Sequence, residues 1–154
     1  MKDRAQEIIR LSECVGRWVI GCIFFYAGVS KLFDFGGFAE IIAAYGLLWE
    51  PLLLPVALMV SLGEIVLALG LFRGNIGCVA ATFALLLFFI AILCYAIWAG
   101  LDIDCGCFGP EDPEREAFGS IRLSLARDIV MLLVVGFSLL YLPATRKKYI
   151  TGER

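Results

Sequence analysis

The 154 residues are 61% hydrophobic and 18% charged, whereas a soluble domain of this size carries about a quarter charged residues and about half apolar ones. A net charge of −2 gives a nucleic-acid backbone little to hold, and the absence of histidine removes the commonest general base and the commonest metal ligand. The apolar residues come in long blocks rather than in alternation, which points to a membrane protein whose first partner is the lipid bilayer.

The chain opens on "MKDRAQEIIRLSE", which mixes both charge signs and lacks the pattern of a cleaved secretory leader. The block after it, about residues 14–33, is therefore expected to be kept as a membrane span. The following "DFGGFAEIIAAYGLLWE", from Asp34 to Glu50, is too short to cross a bilayer and return. Phe35, Phe38, Ile41 or Ile42, Tyr45 and Trp49 recur there at helical spacing, which predicts a short helix at the interface or capping the bundle. Further spans are predicted over residues 51–72, 76–99 and 123–142. Only Arg73-Gly74-Asn75 divides the second from the third, so these two are antiparallel neighbours. The expected fold is all-α: one integral membrane domain over 1–154, a four-helix bundle with a short interfacial helix between helices 1 and 2. The polar tails are 1–13 and 143–154. Backbone groups in lipid must be satisfied internally, and a helical bundle does that.

Basic residues set the orientation. Lys2, Arg4, Arg10, Arg73, Arg146, Lys147, Lys148 and Arg154 fall on one side, with Arg17 just inside the first span. Lys31, Arg115, Arg122 and Arg127 fall on the other. Both termini are expected to be cytoplasmic, with the loop after the third span outside a bacterial inner membrane. Trp18 and Tyr141 then lie near one interface, Trp49 and Trp98 near the other.

That loop reads "GLDIDCGCFGPEDPE". Cys105 and Cys107, separated by one glycine, stand in what would be an oxidising compartment. A bridge across one residue is strained and labile, and closing so small a loop adds little stability, so a redox pair explains it better than a staple. A local structural bridge and a thiolate site for a soft ion such as Cu(I) are the rival readings. The ion would need more ligands than the loop offers, and no metal is assigned. Asp102 and Asp104 disfavour the thiolates, unless Arg115 or Arg122 folds over them. Cys14, Cys22, Cys78 and Cys94 lie in apolar blocks and read as small buried hydrophobes. Cys94 is the nearest to the pair, about 16 Å of helix away from Cys105.

Four charges in or beside the spans complete the candidates. Glu64 stands inside the second span with no nearby charge along the chain, either as a proton-relay or quinone-facing group or as a hydrogen bond between helices. Lys31 ends the first span and is expected to snorkel to the interface. Arg127 and Asp128 open the fourth span on the cysteine side, with an interfacial pair as the simplest reading and helix capping or tuning of the cysteines as others.

The blocks "YAGVSKLFDFGGFAEIIAAYGLL", "LGEIVLALGLFRG" and "DIDCGCFG", in that order, resemble the MauE/DoxX family of redox-associated membrane proteins, its MauE branch above all. The resemblance covers about residues 15–142, and the CGCFG element is its specific part. It implies a four-helix membrane protein working beside thioredoxin-like proteins in periplasmic disulfide chemistry. MauE itself is associated with forming or delivering disulfide-rich methylamine dehydrogenase subunits, and DoxX relatives are linked to quinone-dependent sulfur oxidation. The arrangement also looks like that of vitamin K epoxide reductase-type enzymes, but this chain lacks their CxxC pair.

Two functions of different class follow. One is a thiol–disulfide oxidoreductase exchanging through Cys105 and Cys107 with a thioredoxin-like periplasmic partner, with a quinone as a candidate carrier near Glu64 or near Trp49, Tyr95 and Trp98. The other is a non-catalytic membrane anchor or assembly factor whose acidic loop holds a redox or maturation partner. Gly16, Gly21, Gly28, Gly63 and Gly70 would serve packing within the bundle or in a homodimer.

Overall fold

A computed structural model of the chain describes residues 2–100 and 121–151. Every element among them is helical: α1 (Lys2–Phe33), α2 (Phe35–Ala44), α3 (Glu50–Phe72), α4 (Ile76–Trp98) and α5 (Ile121–Thr151). α3 and α4 have 23 residues each, about 34 Å at 1.5 Å per residue, against a hydrocarbon core of about 30 Å. Both are long and apolar enough to cross a membrane, as is the stretch Ile121–Tyr141 of α5. The chain is a multi-pass membrane protein.

The first span differs from expectation. α1 has 32 residues and begins at Lys2, because Lys, Arg, Ala, Gln, Glu and Leu in the polar opening are themselves good helix formers. Apolarity stops near Cys14, but the helix does not. The segment Gln6–Phe33 meets the criteria of a span only together with α2, from which it is bent by 97°. The bend falls at Asp34, whose carboxylate accepts from the Gly37 amide at 2.9 Å and caps α2. The predicted short helix is present, although Tyr45 only closes it and Trp49 precedes α3.

Local signals fix the turn between α3 and α4. Gly74 takes φ +66°, its amide donates to the Leu71 carbonyl at 3.1 Å, and the Asn75 amide donates to the Gly70 carbonyl at 3.0 Å. This Schellman arrangement ends α3 on a residue free to be left-handed. Asn75 then starts α4, its side chain accepting from the Gly77 amide at 2.9 Å. Observed and expected boundaries of these two helices agree within one residue.

Four helices meet in one core: Ile20 and Phe24 from α1, Ala68 and Leu71 from α3, Val79 and Leu86 from α4, Met131 and Val135 from α5. α1 packs on α3 and α5, and α4 packs on α3 and α5. α2 lies against α3 through a second cluster of Phe38, Ala39 and Ala57. At the far end, Arg17 ties α1 to the turn. Its guanidinium donates to Glu13 at 3.0 Å and to the Leu71 carbonyl at 2.5 Å, with Glu13 itself buried.

Candidate functional site

Lys31 and Glu64 each sit in an apolar stretch where a charge without a partner is strongly unfavourable. The structure brings them together. Lys31 Nζ lies 2.5 Å from Glu64 Oε1, and the two residues are 1% and 2% exposed. The ammonium also sits 4.9 Å from the ring centroid of Phe38 and 5.6 Å from that of Phe89. A cation so placed is held by a carboxylate and by the negative faces of two rings. One buried charge thus draws on α1, α2, α3 and α4.

The snorkelling expected of Lys31 does not occur. Lys31 is two residues from the end of α1, but the chain turns sharply at Asp34, and α2 carries Phe38 over the ammonium. Nor is Glu64 isolated, because its partner comes from another helix. The approach of α1 and α3 that allows this depends on Gly28, one turn before Lys31. A Cβ there would lie 2.8 Å from the Ser61 carbonyl oxygen and 2.8 Å from the Ile65 side chain.

Arg127 and Asp128 extend the centre. Arg127 Nε donates to Asp128 Oδ1 at 3.3 Å, so the two do pair. Neither side chain lies open on the helix surface: Asp128 is 1% exposed and Arg127 is half-buried. Glu64, Arg127 and Asp128 all line one small cavity of about 20 Å³, together with Phe24, Leu86, Phe89 and Met131. That is space for one water with polar partners around it. Two ion pairs from α1, α3 and α5 thus lie at or beside this cavity, with Lys31, Glu64 and Asp128 buried and Arg127 partly exposed. Such a set can hold helices in one register and can carry a proton among hydrogen-bonding groups.

Other candidates lie elsewhere. Arg122 is exposed in the first turn of α5. Cys94 and Cys22 are exposed on the helix surface, and Cys14 and Cys78 are half-buried, so the expectation of four buried cysteines does not hold. The sulfur of Cys78 instead fills the space left by the missing side chain of Gly70. Cys105, Cys107, Asp102, Asp104 and Arg115 lie outside the described residues. Their chain connection is clear all the same: α4 ends at Trp98 and Gly100 follows at φ +68°. No group of three or more potential metal ligands occurs among the described residues.

Sequence reasoning missed Phe38 and Phe89 as walls around Lys31, and Glu13 as a buried partner of Arg17. The signal for the central pair was present: four charges inside or beside apolar blocks sum to zero, and each needs an opposite charge.

The family described as "Methylamine utilisation protein MauE" matches residues 9–141. Comparison with curated proteins and with solved structures finds no match.

Proposed function

This chain belongs to the MauE family, and from that membership we propose a membrane thiol–disulfide redox protein, a four-helix bundle in which α1 and α2 form one bent span. The observation that carries the reading is Cys105-Gly106-Cys107, placed in the sequence directly after the long membrane helix α4. The excess of lysine and arginine on the other side supports a bacterial inner membrane orientation with the cysteines outside, where disulfides persist. The family's description connects its members with methylamine utilisation. For this chain that supports a role in maturing or servicing a disulfide-containing partner of that pathway.

In the exchange, a thiolate of the pair attacks one sulfur of a partner disulfide and expels the other as a thiolate. The second cysteine then attacks the mixed disulfide, so that Cys105 and Cys107 become bridged and the partner leaves with two thiols. The reverse sequence delivers a disulfide. A thioredoxin-like partner supplies such a reactive pair. The acidic loop, with Asp102, Asp104, Glu111, Asp112, Glu114 and Glu116, favours a basic docking face on that partner.

Mass tagging of thiols in native membranes, across buffered redox potentials, tests the proposal. The pair should titrate reversibly as a unit, above the roughly −300 mV typical of structural disulfides. Cys105→Ser and Cys107→Ser should each stop turnover, and one of them should trap the mixed disulfide. Normal partner maturation with both cysteines replaced would establish the anchor or assembly factor instead.

A further inference from the structure

A cavity of about 390 Å³ opens between α2, α3 and α4, within the range of small-molecule sites. Its floor is buried: Phe38, Tyr45 and Leu93 are all less than a tenth exposed. Its mouth is formed by Leu47, Leu48 and Phe88, which are exposed on the helix surface. Val56 and Val60 of α3 line it as well. They lie about 9–15 Å along α3 from Glu50 at 1.5 Å per residue, so the cavity is within the span rather than above it. The mouth therefore meets lipid.

We propose that this cavity binds a prenylated quinone, its ring between Phe38, Phe89 and Tyr45 and its tail leaving past Leu47, Leu48 and Phe88 into the bilayer. Three observations choose this occupant over an acyl chain. Three aromatic side chains, Phe38, Tyr45 and Phe89, stand in an otherwise aliphatic inner wall, and a flat ring gains from stacking on them where a flexible chain does not. Phe38 and Phe89 are also the two rings that hold the Lys31 ammonium. The ammonium end of the Lys31–Glu64 ion pair thus faces the wall, and a dipole so oriented favours the carbonyl oxygens of a quinone. Finally, α4 runs from the cavity at Leu93 to its end at Trp98, about 8 Å of helix, and in the sequence the chain leads on from there to Cys105 and Cys107.

The electron-transfer part rests on the thiol–disulfide reading; the binding part does not. Oxidation of the Cys105 and Cys107 thiols to a disulfide releases two electrons and two protons. One quinone taking up both becomes a quinol, and the bridged pair is ready to oxidise a partner. The site differs from the one the sequence led us to expect: Trp49, Tyr95 and Trp98 do not line it, and Glu64 stands behind Lys31 rather than in the wall.

The test uses the full chain in lipid nanodiscs and a photoreactive azidobenzoquinone carrying one isoprene unit. Saturable labelling is expected on peptides containing residues 38–60 and 88–93. Val60→Trp, which fills the cavity, should weaken binding about tenfold. Val56→Phe is a milder filling variant to read if Val60→Trp fails to fold. Leu58→Trp, on the exposed opposite face of α3 from Val56 and Val60, should leave binding unchanged. The Cys105→Ser/Cys107→Ser protein should bind as the wild type does and fail to reduce the probe. Labelling elsewhere, unaltered binding in both filling variants, or equal competition by phosphatidylcholine would overturn the site. Binding that persists while the cysteines never titrate would overturn the redox reading and leave the site standing.

Discussion

Replacing Lys31 by methionine keeps most of the side-chain volume and removes the charge that Glu64 faces. At 2.5 Å and an effective dielectric of about 20, the gross attraction in that pair is about 7 kcal/mol. Desolvation of two ions offsets most of it, so an apolar pair of similar size would be close to neutral. Loss of one partner is different, because the other remains desolvated. With both residues at least 98% buried, each single change, Lys31→Met or Glu64→Leu, should cost about 3–5 kcal/mol. Polar contacts between membrane helices average nearer 0.6 kcal/mol, since the unfolded chain also finds partners in the bilayer. The larger figure applies here because both groups are charged and two rings close over the cation. The Lys31→Met/Glu64→Leu protein should be more stable than either single variant, a coupling that a double-mutant cycle isolates. Unfolding free energies measured in bicelles by steric trapping give the four numbers. Single variants within about 0.5 kcal/mol of wild type, or losses that simply add, would refute the buried pair.

Three further predictions probe the contacts around this centre. Gly28→Leu should push α1 away from Ser61 and Ile65 and lower stability by at least as much as Lys31→Met, since it separates the same two helices; the same unfolding assay reads it. Gly70→Ala places a Cβ on both the sulfur and the Cβ of Cys78, at a cost of about 1–3 kcal/mol. Cys78→Gly should recover much of that loss and Cys78→Ala little, and full rescue by alanine would show that the clash is not there. Arg17→Gln should lose about 2–3 kcal/mol, the value of charged hydrogen bonds to Glu13 and to the Leu71 carbonyl. It should also speed hydrogen exchange of the turn amides at Gly74 and Asn75, and unchanged exchange would disconnect Arg17 from the turn.

How far the sequence could be read depended on the range of the signal. α3 and α4 were legible almost to the residue because their ends are written locally, in Pro51, Gly74 and Asn75. The start of α1 was not, since hydropathy marks where lipid begins and propensity marks where a helix begins, and in residues 2–13 the two disagree. The central pair was harder again. Glu64 looked solitary because the nearest charges along its own helix are remote, and Lys31 looked free to reach water because it ends its helix. Only the 97° turn into α2, which puts Phe38 over the ammonium, decides between snorkelling and burial, and no residue periodicity encodes that angle. The burial of Asp128 was not legible either: its neighbour Arg127 offered a local partner, and only the packing of the helices puts Phe24 and Leu86 beside it. Cysteine exposure was not legible at all, since an apolar block reads alike on its lipid-facing and core-facing sides.

The separation of Lys31 and Glu64 along the chain gives their ion pair a history. At roughly 5–20 residues per second, Glu64 leaves the ribosome about 2–7 s after Lys31. Through that interval α1 must stay in or beside the bilayer with a cation and no carboxylate to meet it. Lys31, two residues from the end of its helix, can wait with its amine among lipid headgroups, a refuge that a lysine halfway along α1 would lack. Arg127 and Asp128, adjacent in sequence, need no such delay and enter already matched. Snorkelling is thus open to the nascent helix, whereas in the finished protein the lysine is buried. The arrival of α3 is the event that converts one into the other, which makes the order of synthesis part of how this charge comes to be inside.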